Sequence, residues 1–128
     1  MRAADRDRGA AVVDFVLIMV LLVPLVLGIA QVALVLHVRN TLAAAASEGA
    51  RSAAPLGATP ADGVERTRTM IRRALDDRYA DDVAASLTTI GGVPGAEVEV
   101  RAKVPALGLF GPAVSVTVRG HAVREVEP

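Results

Sequence analysis

Residues 15–36 form an apolar run of twenty-two positions in which Gln31 is the only strongly polar side chain. Nothing else in the chain restricts its fold as much. At about 1.5 Å per residue, a helix of this length rises about 33 Å. The hydrocarbon core of a bilayer is about 30 Å thick. A helix that is apolar on every side must be surrounded, and the remaining residues are too few to surround it. The run therefore reads as a single membrane span near the N-terminus. A cleaved signal peptide is the competing reading, with Ala43, Ala44, Ala45 and Ala46 as candidate cleavage positions. Its apolar region usually covers only about 7–15 residues, shorter than the run here.

The chain has 128 residues, so the part beyond the span can form one small domain. The aromatic residues are Phe15, Tyr79 and Phe110 alone, so a core must be built from Val, Leu, Ile and Ala. No Trp or Tyr belt marks the membrane edges. Formal net charge is zero, and there is no cysteine. The first feature removes the electrostatic footprint of a nucleic-acid binder. The second excludes disulfides, Cys-ligated zinc and a thiol nucleophile. Arg2, Arg6 and Arg8 precede the span, while Arg39 and Arg51 come after it. By the positive-inside rule this favours a cytoplasmic N-terminus by a narrow margin. The expected location is the cytoplasmic membrane, single-pass, with the C-terminal domain outside.

Pro24 lies inside the span and lacks the N–H that would bond the carbonyl of Val20, so a kink is expected there, with Gly28 adding softness one turn later. Gln31 either pairs with a neighbouring helix or lies near the outer interface. One charge precedes the apolar run at close quarters. In Arg8-Gly9-Ala10-Ala11-Val12-Val13-Asp14-Phe15 a basic leader ends in glycine, and Asp14 comes after four small or branched apolar residues. An Asp at a helix centre costs about 2.5–3.5 kcal/mol on the insertion scale, and less at its edge. Asp14 either sits in the first turn, where the helix dipole favours an acid, or has a specific partner.

This stretch resembles the processing and assembly signature of type IV prepilins and pseudopilins. Within that group the chain is most similar to TadE-like proteins, the pseudopilins of tight-adherence (Flp pilus) systems. Three parts support the resemblance. They are the Arg8 to Phe15 stretch with the run behind it; Arg39-Asn40-Thr41-Leu42 with the alanines after it and Glu48-Gly49-Ala50-Arg51; and the alternating segments around Val104-Pro105-Ala106-Leu107. The resemblance implies cleavage by a prepilin peptidase between Gly9 and Ala10. It implies that Asp14, fifth in the mature chain, pairs with the free α-amine of an adjacent subunit, next to Phe15 at the head of the span. The family usually has Glu at that place; Asp keeps the charge on a side chain one methylene shorter. The implied partners are the membrane, the peptidase, other pilin-like subunits and pilus assembly proteins.

The expected organisation is a cytoplasmic leader over residues 1–9, a transmembrane helix over 10–37, a helical extension over 38–54 and an extracytoplasmic α+β domain over 55–128. The extension is alanine-rich, with Glu48 and Arg51 spaced i,i+3, and Pro55-Leu56-Gly57-Ala58 ends it. Thr59, Pro60 and Asp62 read as the N-cap, N1 and N3 of a second helix. Val64, Ile71, Leu75 and Tyr79, with Arg68 between, mark its inner face. Glu65, Arg66, Arg72, Arg73, Asp76 and Asp77 mark a solvated one. Residues 83–90 read as a late helical turn followed by a strand, and 91–95 as a turn. Residues 96–104 alternate strictly, with Val98, Val100, Ala102 and Val104 on one face. Val114, Val116 and Val118 alternate as a further strand, and Gly120 suggests a bulge or bend. Leu107, Leu109 and Phe110, in the loop between these strands, either fold under the sheet or meet a partner or the membrane surface. The expected fold class is α+β, a long N-terminal transmembrane helix with a helix and antiparallel strands outside.

No serine lies in Gly-x-Ser-x-Gly, and there is no phosphate loop or dinucleotide fingerprint. His37 and His121 stand apart in the sequence. The expectation is a protein that is not an enzyme, with no cofactor, metal, nucleic-acid partner or small-molecule substrate. The alternative is a bitopic protein whose outer domain is a binding or sensing module in the cell envelope.

Overall fold

The computed structural model describes residues 2–107 and 113–127. One helix, α1, runs unbroken from Arg2–Ala53 and contains Pro24 in its interior. A second helix, α2 (Pro60–Ala74), is followed by a 3-10 turn at Asp77–Ala80 and by β1 (Asp82–Ile90), β2 (Val93–Val104) and β3 (Val114–Val123). The strands form one antiparallel sheet in the order β1-β2-β3. Helices cover one face of it, and this is the expected α+β class with a candidate membrane-spanning helix.

α1 has two environments along its length. Residues 3–30 are exposed apart from half-buried Met19. From Val38 on, one face is buried: Val38, Leu42, Ala45, Ala46, Ala50 and Ala53. These positions recur at three- and four-residue intervals, as a helix that packs on one side requires. The same helix thus serves as the bare segment and as the central element of the folded domain. A cut at residue 47 would take Val38, Leu42, Ala45 and Ala46 out of this core.

Small residues set the packing distances. A Cβ on Gly49 would overlap the Thr67 hydroxyl, and one on Gly63 would sit 2.9 Å from the Gly49 carbonyl oxygen. α2 therefore descends antiparallel to α1 in backbone contact. The buried Thr67 hydroxyl donates to the Gly63 carbonyl at 2.7 Å, with the Ala45 carbonyl at 3.4 Å. The buried stripe of α2 is thus Gly63, Thr67 and Ile71, while the expected Val64 and Leu75 are only half-buried. Leu75 is extended and ends the helix, so Tyr79 reaches the core from the 3-10 turn instead. At the other end the Thr59 N–H donates to the Asp62 carboxylate at 2.7 Å, the cap expected from the sequence. Glu48 lies 3.7 Å from Arg51 and 3.6 Å from Arg66, joining the two helices at the surface.

The sheet differs from the sequence reading in three places. β1 is a strand throughout residues 83–90, with no helical turn; its Ala-Ala-Ser centre hides the alternation, and pairing with β2 supplies it. The turn at 91–95 shrinks to Gly91 and Gly92, both at positive φ, as a two-residue hairpin loop needs. Gly120 is no bulge. It sits in register opposite Val98, and a Cβ there would overlap the backbone of Ala46 and Ser47. Leu109 and Phe110 lie outside the described residues.

Three ties show that the C-terminal hairpin runs along α1. Pro105 and Leu107 bond Gln31, Gly120 abuts Ala46, and the Glu125 N–H donates to the Ala54 carbonyl at 3.1 Å. From Gln31 to Ala46 the helix rises about 22 Å, and from Pro105 to Val98, the partner of Gly120, a strand covers about 23 Å. The strands thus lie roughly parallel to the helix axis.

Replacing Gly120 with Ala should force β3 away from α1 and cost about 1–3 kcal/mol, the usual penalty for overpacking. Gly28→Ala, on the bare part of the same helix where a Cβ meets nothing, should leave the domain unaffected. Thermal unfolding of the two variants in a mild detergent, followed by circular dichroism, tests this difference.

Candidate assembly segment and its surroundings

The sequence-derived site residues all lie on the bare part of α1. Gly9, Ala10 and Asp14 are exposed, and Phe15 is 61% exposed. Ala10 and Asp14 are four residues apart and so share a face one turn from each other, while Phe15 projects from the adjacent face. Among the described residues, no side chain of the domain buries them. A Cβ on Gly9 would meet no atom, so this helix gives glycine there no packing role. Asp14 is the last charge before the apolar run.

The other polar cluster is on the outer face of the sheet. Glu99 accepts from Arg119, its cross-strand partner, at 2.7 Å, and from Arg101, two residues on, at 2.6 Å. Glu97 lies 2.6 Å from Nε2 of His121, again its cross-strand partner. Opposite charges facing each other across a ladder fix register. The alternation of Glu97, Glu99 and Arg101 was visible in the sequence; their partners on β3 were not, because the register depends on where the loop folds back. Among the described residues no group of three or more His, Cys, Asp or Glu side chains is placed to hold a metal ion.

The hydrogen bonds from Arg119 and then Arg101 hold the Glu99 carboxyl below its ordinary value of 4.5. The sign comes from linkage: a lowered folded-state pKa adds stability that is complete above the unfolded value and is lost as pH falls through the folded one. Acid titration should therefore show domain stability declining below about pH 4.5, and Glu99→Gln should flatten that part of the profile. Melting temperatures of both proteins across the acidic range provide the measurement.

Residues 9–51 match the family model described as TadE-like protein. The match lies wholly on α1 and covers both the bare segment and the one in the domain core; the alternating strands near Val104 are outside it. Comparison with curated proteins and with solved structures returns no match. Over residues 9–51 the chain is therefore similar to TadE-like proteins, the family that its sequence resembles.

Proposed function

We propose that the chain is a pseudopilin of a tight-adherence (Flp) pilus or a related secretion apparatus, a structural or assembly component and not an enzyme. One observation carries this reading: the TadE-like match begins at residue 9 and continues along a helix whose first half is uncovered. A helix of that length and composition is suited to crossing a membrane once.

In this reading residues 1–9 are a cytoplasmic leader that a prepilin peptidase removes. Residues 10–37 cross the cytoplasmic membrane, and the sheet domain, with residues 38–53 of α1 in its core, lies outside. Cleavage frees an α-amine on Ala10. The carboxylate of Asp14 then has the charge and the exposure to pair with such an amine on an adjacent subunit. In a low-dielectric surrounding an unpaired carboxylate is unfavourable, and pairing of this kind removes the penalty. Phe15 starts the apolar surface that packs on neighbouring pilin-like helices. Pilus assembly proteins are the expected partners of the outer domain.

Intact mass and N-terminal sequencing of the protein from its native membrane test the processing step. The expected chain begins at Ala10. One that retains Met1 or Arg2 lacks the amine and returns the protein to a plain bitopic binding module. Asp14→Ala should impair incorporation into the assembly while leaving membrane insertion intact. Unchanged incorporation would remove the pairing role.

A further inference from the structure

Gln31 is the only strongly polar side chain between residues 15 and 36, and the domain uses both ends of its amide. Its nitrogen donates to the Pro105 carbonyl at 3.1 Å, and its oxygen accepts from the Leu107 N–H at 2.7 Å. One side chain thus satisfies two backbone groups of the β2–β3 loop, as a neighbouring strand would.

Among the described residues, the neighbours of this contact on α1 and on the sheet are apolar. On α1, Val32 and Leu36 are exposed on the face turned away from half-buried Leu34 and Val35. On the domain, Leu107 is 46% exposed and Val114 39%. Pro105 and Ala106 are half-buried, and Ala113 is exposed. From residue 104 to 114 the sequence has no polar side chain. The first polar rung above the loop is Lys103 opposite Ser115, and above it Arg101 lies opposite Thr117. Exposed apolar side chains of α1 and of the sheet thus share one level, with Lys103 just above it and Arg78 near by. A lipid leaflet covers both at once, and these cations stand where its headgroup phosphates would be.

The level itself can be placed. Gln31 is seventeen residues beyond Asp14, about 26 Å along the helix, and tilt only reduces the rise. The hydrocarbon core is about 30 Å thick. With Asp14 at one edge, Gln31 lies at or just inside the other. Irregular backbone is tolerated at that depth only when its polar groups are satisfied within the protein. The Gln31 amide satisfies two of them.

We infer that the described ends of the β2–β3 connection enter the leaflet on the domain's side of the membrane, with Pro105, Leu107 and Val114 against acyl chains. Gln31 is the positioning residue that holds them there. The inference rests on α1 crossing the membrane, and it fixes the outer domain directly on the bilayer with no stalk between them.

The chain has no cysteine, so single spin labels can be placed at will. The full chain is reconstituted in vesicles of phosphatidylcholine with a minority of phosphatidylglycerol. Labels at Leu22→Cys, Leu107→Cys and Ser86→Cys report mid-span, loop and distal sheet. The ratio of collision with oxygen to collision with a water-soluble nickel complex is read at each. The expected ratio at Leu107 is several-fold above that at Ser86 and approaches that at Leu22. Gln31→Leu should raise nickel access at Leu107 several-fold and leave Leu22 unchanged; no change at Leu107 would overturn the positioning role. A lipid-like Leu22 with a water-like Leu107 overturns the inference alone. A Leu107 label shielded from both probes shows a protein contact and also overturns it. A water-like Leu22 overturns the membrane-crossing reading, and the inference with it.

Discussion

The domain depends on one helix being thin over a short stretch. Between residues 45 and 53 the inward face of α1 offers only Ala45, Ala46, Gly49, Ala50 and Ala53, all buried. Two elements use that thinness. α2 comes close enough for Gly63 to face the Gly49 carbonyl, and β3 comes close enough for Gly120 to lie against the backbone of Ala46. In a chain with few aromatic residues, close approach replaces bulk: dispersion contacts between backbones stand in for large side chains. The core then needs only modest aliphatic groups, Leu42, Ile71, Val98, Val100 and Val104, to be filled.

This arrangement also couples the domain to the bare segment. Since α1 is unbroken from its exposed part into the core, the sheet has a fixed position and azimuth relative to the helix below it. The hairpin of β2 and β3 runs along the helix axis and is tied to it at Gln31, at Ala46 and at Ala54. A load on residues such as Asp14 or Phe15 therefore passes to the sheet through a rod and not through a linker.

Much of this was legible from sequence, for reasons that differ by element. The apolar run signals itself through length, and α2 through its Thr-Pro-x-Asp start. β2 is evident because strict alternation over residues 96–104 has no other explanation. β1 was less clear: Ala84, Ala85 and Ser86 suit either face, and only pairing with β2 decides. The face of residues 38–54 that forms the core was hidden too, because a run of alanines has no visible periodicity. Gly120 read as a bend for lack of any sign that a helix passes over it. Of the buried stripe of α2, Ile71 was legible, while Gly63 and Thr67 were missed because glycine and threonine are not the residues by which an inner face is usually recognised.

The proposed processing and assembly residues present the opposite case. Gly9, Ala10, Asp14 and Phe15 stand out in the sequence by their order, yet among the described residues they are all exposed. The reason lies in what such residues would do. Groups that are to be cut by a peptidase, or to meet a neighbouring subunit, have to remain free of their own domain. Gln31 shows the contrast. It too is a polar group in an apolar stretch, but the chain's own loop satisfies it, so its partner is internal and the structure displays it. Of the two polar residues that flank most of the apolar run, Gln31 has its bonds within the chain, and Asp14 is exposed, as the proposed pairing with an adjacent subunit requires.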